Sequence, residues 1–191
     1  MIRKFFSAVM LIALLAFTPN ANAAPEINYQ VHVQDIGWMS PVGEGEVAGT
    51  TGEHKRLEAI IINCSARIEY NAHVQDWGWQ GWVNSGYIAG TVNESRRMEA
   101  IRIRFTGNSA NKYDIYYRAH VADIGWQRWV KNGEVAGTEN KGKRLEALQI
   151  RIVRKGESFG GDRHDYGGYG HDRYGHGRHG RGYDDYYGYQ W

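Results

Sequence analysis

The sequence predicts an all-β fold: a pseudo-threefold closed domain of three β repeats, with a β-trefoil placed ahead of a β-prism, followed by a disordered C-terminal tail. Three observations carry this expectation. One pattern recurs three times in phase: His32-Val33-Gln34-Asp35-Ile36-Gly37-Trp38 returns as His73-Val74-Gln75-Asp76-Trp77-Gly78-Trp79 and as His120-Val121-Ala122-Asp123-Ile124-Gly125-Trp126. Within each copy, apolar and polar residues alternate with a period of two, the mark of half-buried strands. Three copies of a unit that cannot bury its own apolar face are expected to pack on one another, whereas an open stack would leave two bare sheet edges.

The elements follow in chain order. Residues 1–23 read as a secretory signal peptide: Arg3 and Lys4 are basic, Phe5 to Phe17 is almost wholly apolar, and Ala21-Asn22-Ala23 offers small residues at a cleavage site. The protein is therefore expected to be exported, to the periplasm, the cell surface or the medium. The apolar run is shorter than the roughly 20 residues of a membrane-spanning helix, and no later stretch approaches that length, so no membrane span is expected. Loss of Arg3 and Lys4 brings the 23 Lys and Arg down to 21, equal to the 21 Asp and Glu. A formally neutral chain has no electrostatic basis for binding nucleic acid.

Residues 24–155 hold the repeats, at about 27–64, 68–105 and 115–152. In the opening strands Ile27, Tyr29, Val31 and Val33 alternate with Asn28, Gln30, His32 and Gln34; Ile68, Tyr70, Ala72 and Val74 repeat this, as do Ile115, Tyr117, Ala119 and Val121. Each strand closes on Gly-Trp, and Trp38, Trp79 and Trp126 are expected to fill the core. A hairpin follows at Trp82 to Gly86 and at Trp129 to Gly133. Ala48-Gly49-Thr50, Ala89-Gly90-Thr91 and Ala136-Gly137-Thr138 keep phase. Last come Arg56-Leu57-Glu58-Ala59, Arg97-Met98-Glu99-Ala100 and Arg144-Leu145-Glu146-Ala147. Parity puts Glu58 on one strand face with Ile60, Ile62 and Cys64, where a carboxylate must be paired; structural Arg–Glu clamps are expected. Six extra residues, 107–112, lie between the second and third copies, in a loop where length costs little. Cys64 is the single cysteine, so no internal disulfide forms, and it reads as a buried, inert thiol.

Residues 156–191 carry 11 Gly and 7 Tyr with His, Arg and Asp and almost no aliphatic side chain. Such a segment cannot offset its chain entropy by burial and is expected to be disordered. Tyr and Arg spaced by Gly suit weak multivalent contacts and self-association.

Two kinds of site are expected in the folded part. Trp82 and Trp129 flank the hairpin turn and suit stacking on sugar rings. His32, His73 and His120, with Asp35, Asp76 and Asp123, admit two readings. In one, Asp accepts hydrogen bonds from sugar hydroxyls beside a stacking Trp, in three weak sites. In the other, which is preferred, His and Asp stitch the turn as a polar signature of the fold. The tail histidines His164, His171, His176 and His179 could take Zn, Cu or Ni, with weak, adventitious binding expected. There is no nucleophile elbow, no His-Glu-x-x-His and no phosphate loop, so neither an enzyme nor a cofactor is expected.

The separated motifs Tyr-x-x-His-Val-x-Asp-x-Gly-Trp, Trp-Val-x-x-Gly-Glu-x-Ala-Gly-Thr and Arg-Leu-Glu-Ala-x-x-Ile resemble the ChW repeat, the clostridial hydrophobic repeat with a conserved tryptophan, over about residues 27–153. Copy one departs from it, with Met39 in place of Gln80 and Gln127, and Pro41 in place of Trp82 and Trp129. The resemblance implies an exported bacterial protein that binds polysaccharide or protein outside the cell, without catalysis. The leading expectation is a non-enzymatic binder of envelope or extracellular polysaccharide. The alternatives are a structural or assembly protein with a protein partner and tail-driven self-association, and a weak metal-binding envelope protein.

Overall fold

The computed structural model describes residues 23–160. All of the expected signal peptide but Ala23, and the tail from residue 161 onward, lie outside the described residues.

Each repeat contributes five strands. The first holds β1 (Ile27–Val33), β2 (Gly37–Trp38), β3 (Val42–Gly43), β4 (Ala48–Gly49) and β5 (Leu57–Cys64). The second holds β6 (Ile68–Val74), β7 (Gly78–Trp79), β8 (Val83–Asn84), β9 (Ile88–Gly90) and β10 (Met98–Phe105). The third holds β11 (Tyr113–Val121), β12 (Gly125–Trp126), β13 (Val130–Lys131), β14 (Ala136–Gly137) and β15 (Leu145–Arg154). One helical turn, α1 (Ser109–Lys112), occupies the six-residue insertion between the second and third copies. No helix is long and apolar enough to cross a membrane among the described residues.

The period-two pattern does what it predicts. Ile27, Tyr29, Val31 and Val33 of β1 are buried, as are their counterparts in β6 and β11. The long strands pair antiparallel within a repeat, β1 with β5, β6 with β10 and β11 with β15. Ile60, Ile62, Ile101, Ile103, Leu148 and Ile150 face the opening strands across one apolar core.

Three antiparallel five-stranded sheets result, none of them a closed barrel. Each takes four strands from one repeat and the fifth from another. The second repeat's β9 joins β5 of the first, the third repeat's β14 joins β10 of the second, and the first repeat's β4 joins β15 of the third. Every repeat thus gives one strand and receives one, which is why no copy can complete its own sheet. The exchanged strand needs its glycine. Gly49, Gly90 and Gly137 have φ of 109°, 102° and 113°. A Cβ at each would lie 2.3 Å from the carbonyl oxygen of Glu146, Glu58 or Glu99.

Three tyrosines reinforce these joints. The Tyr29 hydroxyl donates to the Glu46 carbonyl of its own repeat and accepts from the Ile150 amide of the third at 3.1 Å. Tyr70 donates to the Tyr87 carbonyl and accepts from the Ile62 amide at 3.1 Å, and Tyr117 donates to the Glu134 carbonyl. All three side chains are fully buried. Burial pushes the Tyr29 and Tyr117 hydroxyls up to about 12 and raises Tyr70 as well.

Two outcomes follow from these joints. Gly90→Ala meets both a left-handed φ and a backbone clash, and should cost at least about 2 kcal/mol in chemical denaturation; a loss below about 0.5 kcal/mol would mean the exchanged strand can move away without harm. The tyrosines set an alkaline limit, because the fold favours the neutral phenol. Their stabilisation is complete below about pH 10, where unfolded tyrosine is also protonated, and is lost as pH rises towards 12. At about 1.4 kcal/mol per pH unit, Tyr29 and Tyr117 should each cost roughly 2–3 kcal/mol over that window. The urea midpoint should therefore be level up to about pH 10 and fall steeply above it.

Candidate functional site

The recurring site grows from a β-bulge. His32 of β1 faces Ala59 of β5, but its neighbour Val33 faces Leu57, so Glu58 is passed over by the register. The same step passes over Glu99 and Glu146. This corrects the parity expected from the sequence: Leu57, not Glu58, joins Ile60 and Ile62 in the core, because the bulge inserts one residue and resets the alternation. The passed-over carboxylate remains buried. Arg56 donates to Glu58 Oε1 from Nε at 2.9 Å and from Nη2 at 2.7 Å, and His32 Nδ1 lies 3.0 Å from Oε2. Arg97 with His73 holds Glu99, and Arg144 with His120 holds Glu146, in the same way. The buried Nδ1 atoms lie close to the carboxylates without a directed hydrogen bond. The backbone carbonyl of each bulged Glu accepts from the exchanged strand's repeat: Thr91 N to Glu58 O is 2.8 Å, Thr138 N to Glu99 O is 2.8 Å, and Thr50 N to Glu146 O is 2.9 Å.

The tryptophans after this strand are not core residues, contrary to expectation. Trp38 pairs with His32, Trp79 with His73 and Trp126 with His120 across the ladder. Directly paired residues project from the same sheet face, so each Trp lies on the outer face with its histidine. The rings meet edge to face at 5.4–5.5 Å. Trp38 is 36% exposed, hardly different from Trp82 at 37%. The expected division into packing and recognition tryptophans does not appear, and the buried tyrosines take the central place instead.

Asp35, Asp76 and Asp123 sit in the turns before Gly-Trp with φ of 62°, 66° and 64°, a left-handed conformation that Asp tolerates better than most residues. Their exposed carboxylates meet Lys55, Arg96 and Lys143. The Lys143 ammonium, donating at 2.7 Å, holds the Asp123 carboxyl below its ordinary range. The histidines thus face their own glutamates and the aspartates their own turns.

What stays open is the outer face of the second sheet. Arg102 lies over the Trp79 ring at 3.8 Å and Arg104 over the Trp82 ring at 4.0 Å. Glu139 of the third repeat binds Trp79 Nε1 at 2.9 Å and Arg102 at 3.0 Å, while Glu69 binds Arg104 at 2.8 Å. Arg102 and Arg104 stand where the first sheet has Ile61 and Asn63, and Trp82 where it has Pro41. The third sheet has Trp129 with Arg118 and Arg151, but Phe159 covers that platform, stacked on Tyr116 at 4.1 Å and edge-on to Trp129 at 5.1 Å. Trp129 is half-buried in consequence. Phe159 lies within residues 156–191, expected from the sequence to be disordered; the described part of that segment instead packs its aromatic ring on the third sheet.

Arg56, Arg97 and Arg144 also line one cavity of about 290 Å³ where the three repeats meet. Cys64 is half-buried beside the core, and burial pushes its thiol up. No group of three or more His, Cys, Asp and Glu is placed to hold a metal ion among the described residues. His164, His171, His176 and His179 lie outside them.

A family model described as Clostridial hydrophobic W matches residues 32–65, 73–107 and 120–154, more than half of the chain. No curated protein and no solved structure matches.

The clamp carries a stability prediction. Arg97→Ala leaves the buried Glu99 carboxylate without its guanidinium and should cost about 3 kcal/mol or more. The paired replacement Arg97→Met with Glu99→Leu should cost much less, and urea denaturation of both variants compares them directly. Equal losses would show that the ion pair itself, rather than the orphaned charge, is what matters.

Proposed function

We propose, for a chain that belongs to the Clostridial hydrophobic W family, that the protein is an exported, non-enzymatic binding protein that holds polysaccharide on the outer face of its repeat domain. The observation that carries this reading is the second sheet's platform. Trp82 presents an exposed ring beside Trp79, and each ring has a guanidinium on it and a carboxylate next to that guanidinium. A pyranose offers an apolar face to stack and a rim of hydroxyls that both donate and accept. With one ring face against its guanidinium, the exposed remainder of Trp82 offers the stacking surface, and the Arg and Glu groups beside it offer donors and acceptors. The triplicated His and Asp drop out of the ligand set, since each already has a partner within the chain.

The architecture supports a particular form of the fold as well. Three separate sheets, each completed by another repeat's strand in cyclic order, fit a pseudo-threefold β-prism better than a trefoil, whose strands form one barrel. Each sheet would then present its outer face in a different direction. With Trp82 open, Trp129 under Phe159 and Pro41 in the first copy, one platform is ready to bind.

A glycan array probed with the full chain tests the reading. Binding to envelope or extracellular polysaccharide should fall at least about tenfold in Trp82→Ala, with little change in stability, since the side chain is exposed. Phe159→Ala should strengthen binding to multivalent glycan by uncovering Trp129. An array without a single hit, together with oligomers that require residues 156–191, would replace this reading with the assembly one.

A further inference from the structure

We propose that the cavity where the three repeats meet is a second binding site, one that takes the oxyanion of an acidic sugar whose ring lies against Trp77. The site is separate from the Trp82 platform and stands or falls without it.

The cavity is lined by the same three arginines that clamp the bulges. Each grips its glutamate side-on, through Nε and Nη2. Nη1, with two N–H groups, is left without a partner among the described residues. Three guanidiniums around one small space suit a compact oxyanion, because guanidinium matches carboxylate and phosphate geometry. Gln34 and Gln75 add amides to the wall. Of the other charges there, Asp123 is taken by Lys143 at 2.7 Å, whereas Lys141 has no carboxylate partner among the described residues. With the three arginines each set against one glutamate, Lys141 is the charge left over, and the cavity favours an anion.

A second hollow of about 470 Å³ adjoins the first and shares Arg97 and Gly142 with it. Trp77 lines it beside Asp76 and Glu99, whose carboxylates are paired with Arg96 and Arg97, and is 52% exposed, with Arg96 5.0 Å from its ring centre. The equivalent residues of the other copies are Ile36 and Ile124, so the frame of the fold does not require an aromatic here. The two hollows fall near and within the ordinary range for ligand pockets, about 300–1,000 Å³. An aromatic plane beside a guanidinium-lined hollow is complementary to a pyranose that carries a carboxylate or a phosphate.

Titration calorimetry on the full chain tests this with three probes: glucuronate, inorganic phosphate and methyl glucoside. Glucuronate should bind most tightly, phosphate more weakly and methyl glucoside not measurably, and added salt should weaken both anions. Gln75→Glu, an isosteric change that brings a negative charge into the cavity, should weaken both anions at least about tenfold. Trp77→Ile, which installs the residue of the other two copies, should weaken glucuronate about tenfold and leave phosphate unchanged. Trp82→Ala should leave all three probes as they were, so failure here and failure of the platform reading are told apart. Silence from glucuronate at tens of millimolar, or indifference of anion binding to Gln75→Glu, would overturn the site. Phosphate binding alone, or glucuronate binding untouched by Trp77→Ile, would overturn the acidic sugar.

Discussion

The rest of the structure depends on one backbone irregularity, the bulge at Glu58, Glu99 and Glu146. By inserting a residue opposite the His-Val step it separates two duties that a regular strand would confuse. The side chains on either side, Leu57 and Ile60 in the first copy, both enter the core, while the extra residue turns its carboxylate to Arg and His. Its carbonyl, displaced from the pairing with the opening strand, accepts the Thr amide of another repeat. One residue thus resets the alternation, carries the buried charge and forms the joint between copies. The Gly of Ala-Gly-Thr exists for that joint, since a Cβ there would collide with the same carbonyl.

A buried carboxylate is an expensive hinge for such a frame. Its desolvation is offset only when its lone pairs are satisfied. Here Oε1 takes two N–H groups of one guanidinium while Oε2 faces an imidazole. The Trp packs edge-on against the histidine. Trp38, Trp79 and Trp126 thus lie against a polar clamp rather than in the core. An apolar residue at the bulge would pack, but it would not fix the direction in which the arginine leaves the strand. The arginines that clamp the glutamates also line the cavity where the repeats meet.

Much of this was legible in the chain. The period-two alternation of Ile27, Tyr29, Val31 and Val33 marks a core face by local geometry alone, and the Arg–Glu pairs follow from the cost of an unpaired buried carboxylate. Even the outer position of Trp38 could have been read. A three-residue turn between Val33 and Gly37 pairs His32 with Trp38, and paired residues share a face; size and hydrophobicity argued for the core and were the weaker guide. What no local reading supplies is the exchange of strands. β4 pairs with β15, about a hundred residues away, and nothing in Ala48-Gly49-Thr50 says which repeat it will join. The bulge was hidden for a related reason, because parity counted along one strand assumes that the partner keeps step.

Triplication itself separates frame from function. A residue that recurs in all three copies has a duty the frame imposes three times, and the structure supplies that duty for each: His and Arg for the buried Glu, Asp for the left-handed turn, Gly for the close approach, Tyr for the joint. The triplicated arginines line the cavity between the repeats as well, and the places where the copies differ set one repeat's surface apart from the others. Four sets of such places line the two surfaces described above. Pro41 stands against Trp82 and Trp129, Ile61 and Asn63 against Arg102 and Arg104, Ile36 and Ile124 against Trp77, and Ala122 against Gln34 and Gln75. The second repeat carries the aromatic, arginine or glutamine alternative at every one of them. Each substitution adds a flat ring or a hydrogen-bonding group to a surface rather than to the core. The second repeat is thus the copy whose surface carries the most exposed aromatic and guanidinium groups at these positions, with Trp82 open where Phe159 packs on the third copy's Trp129.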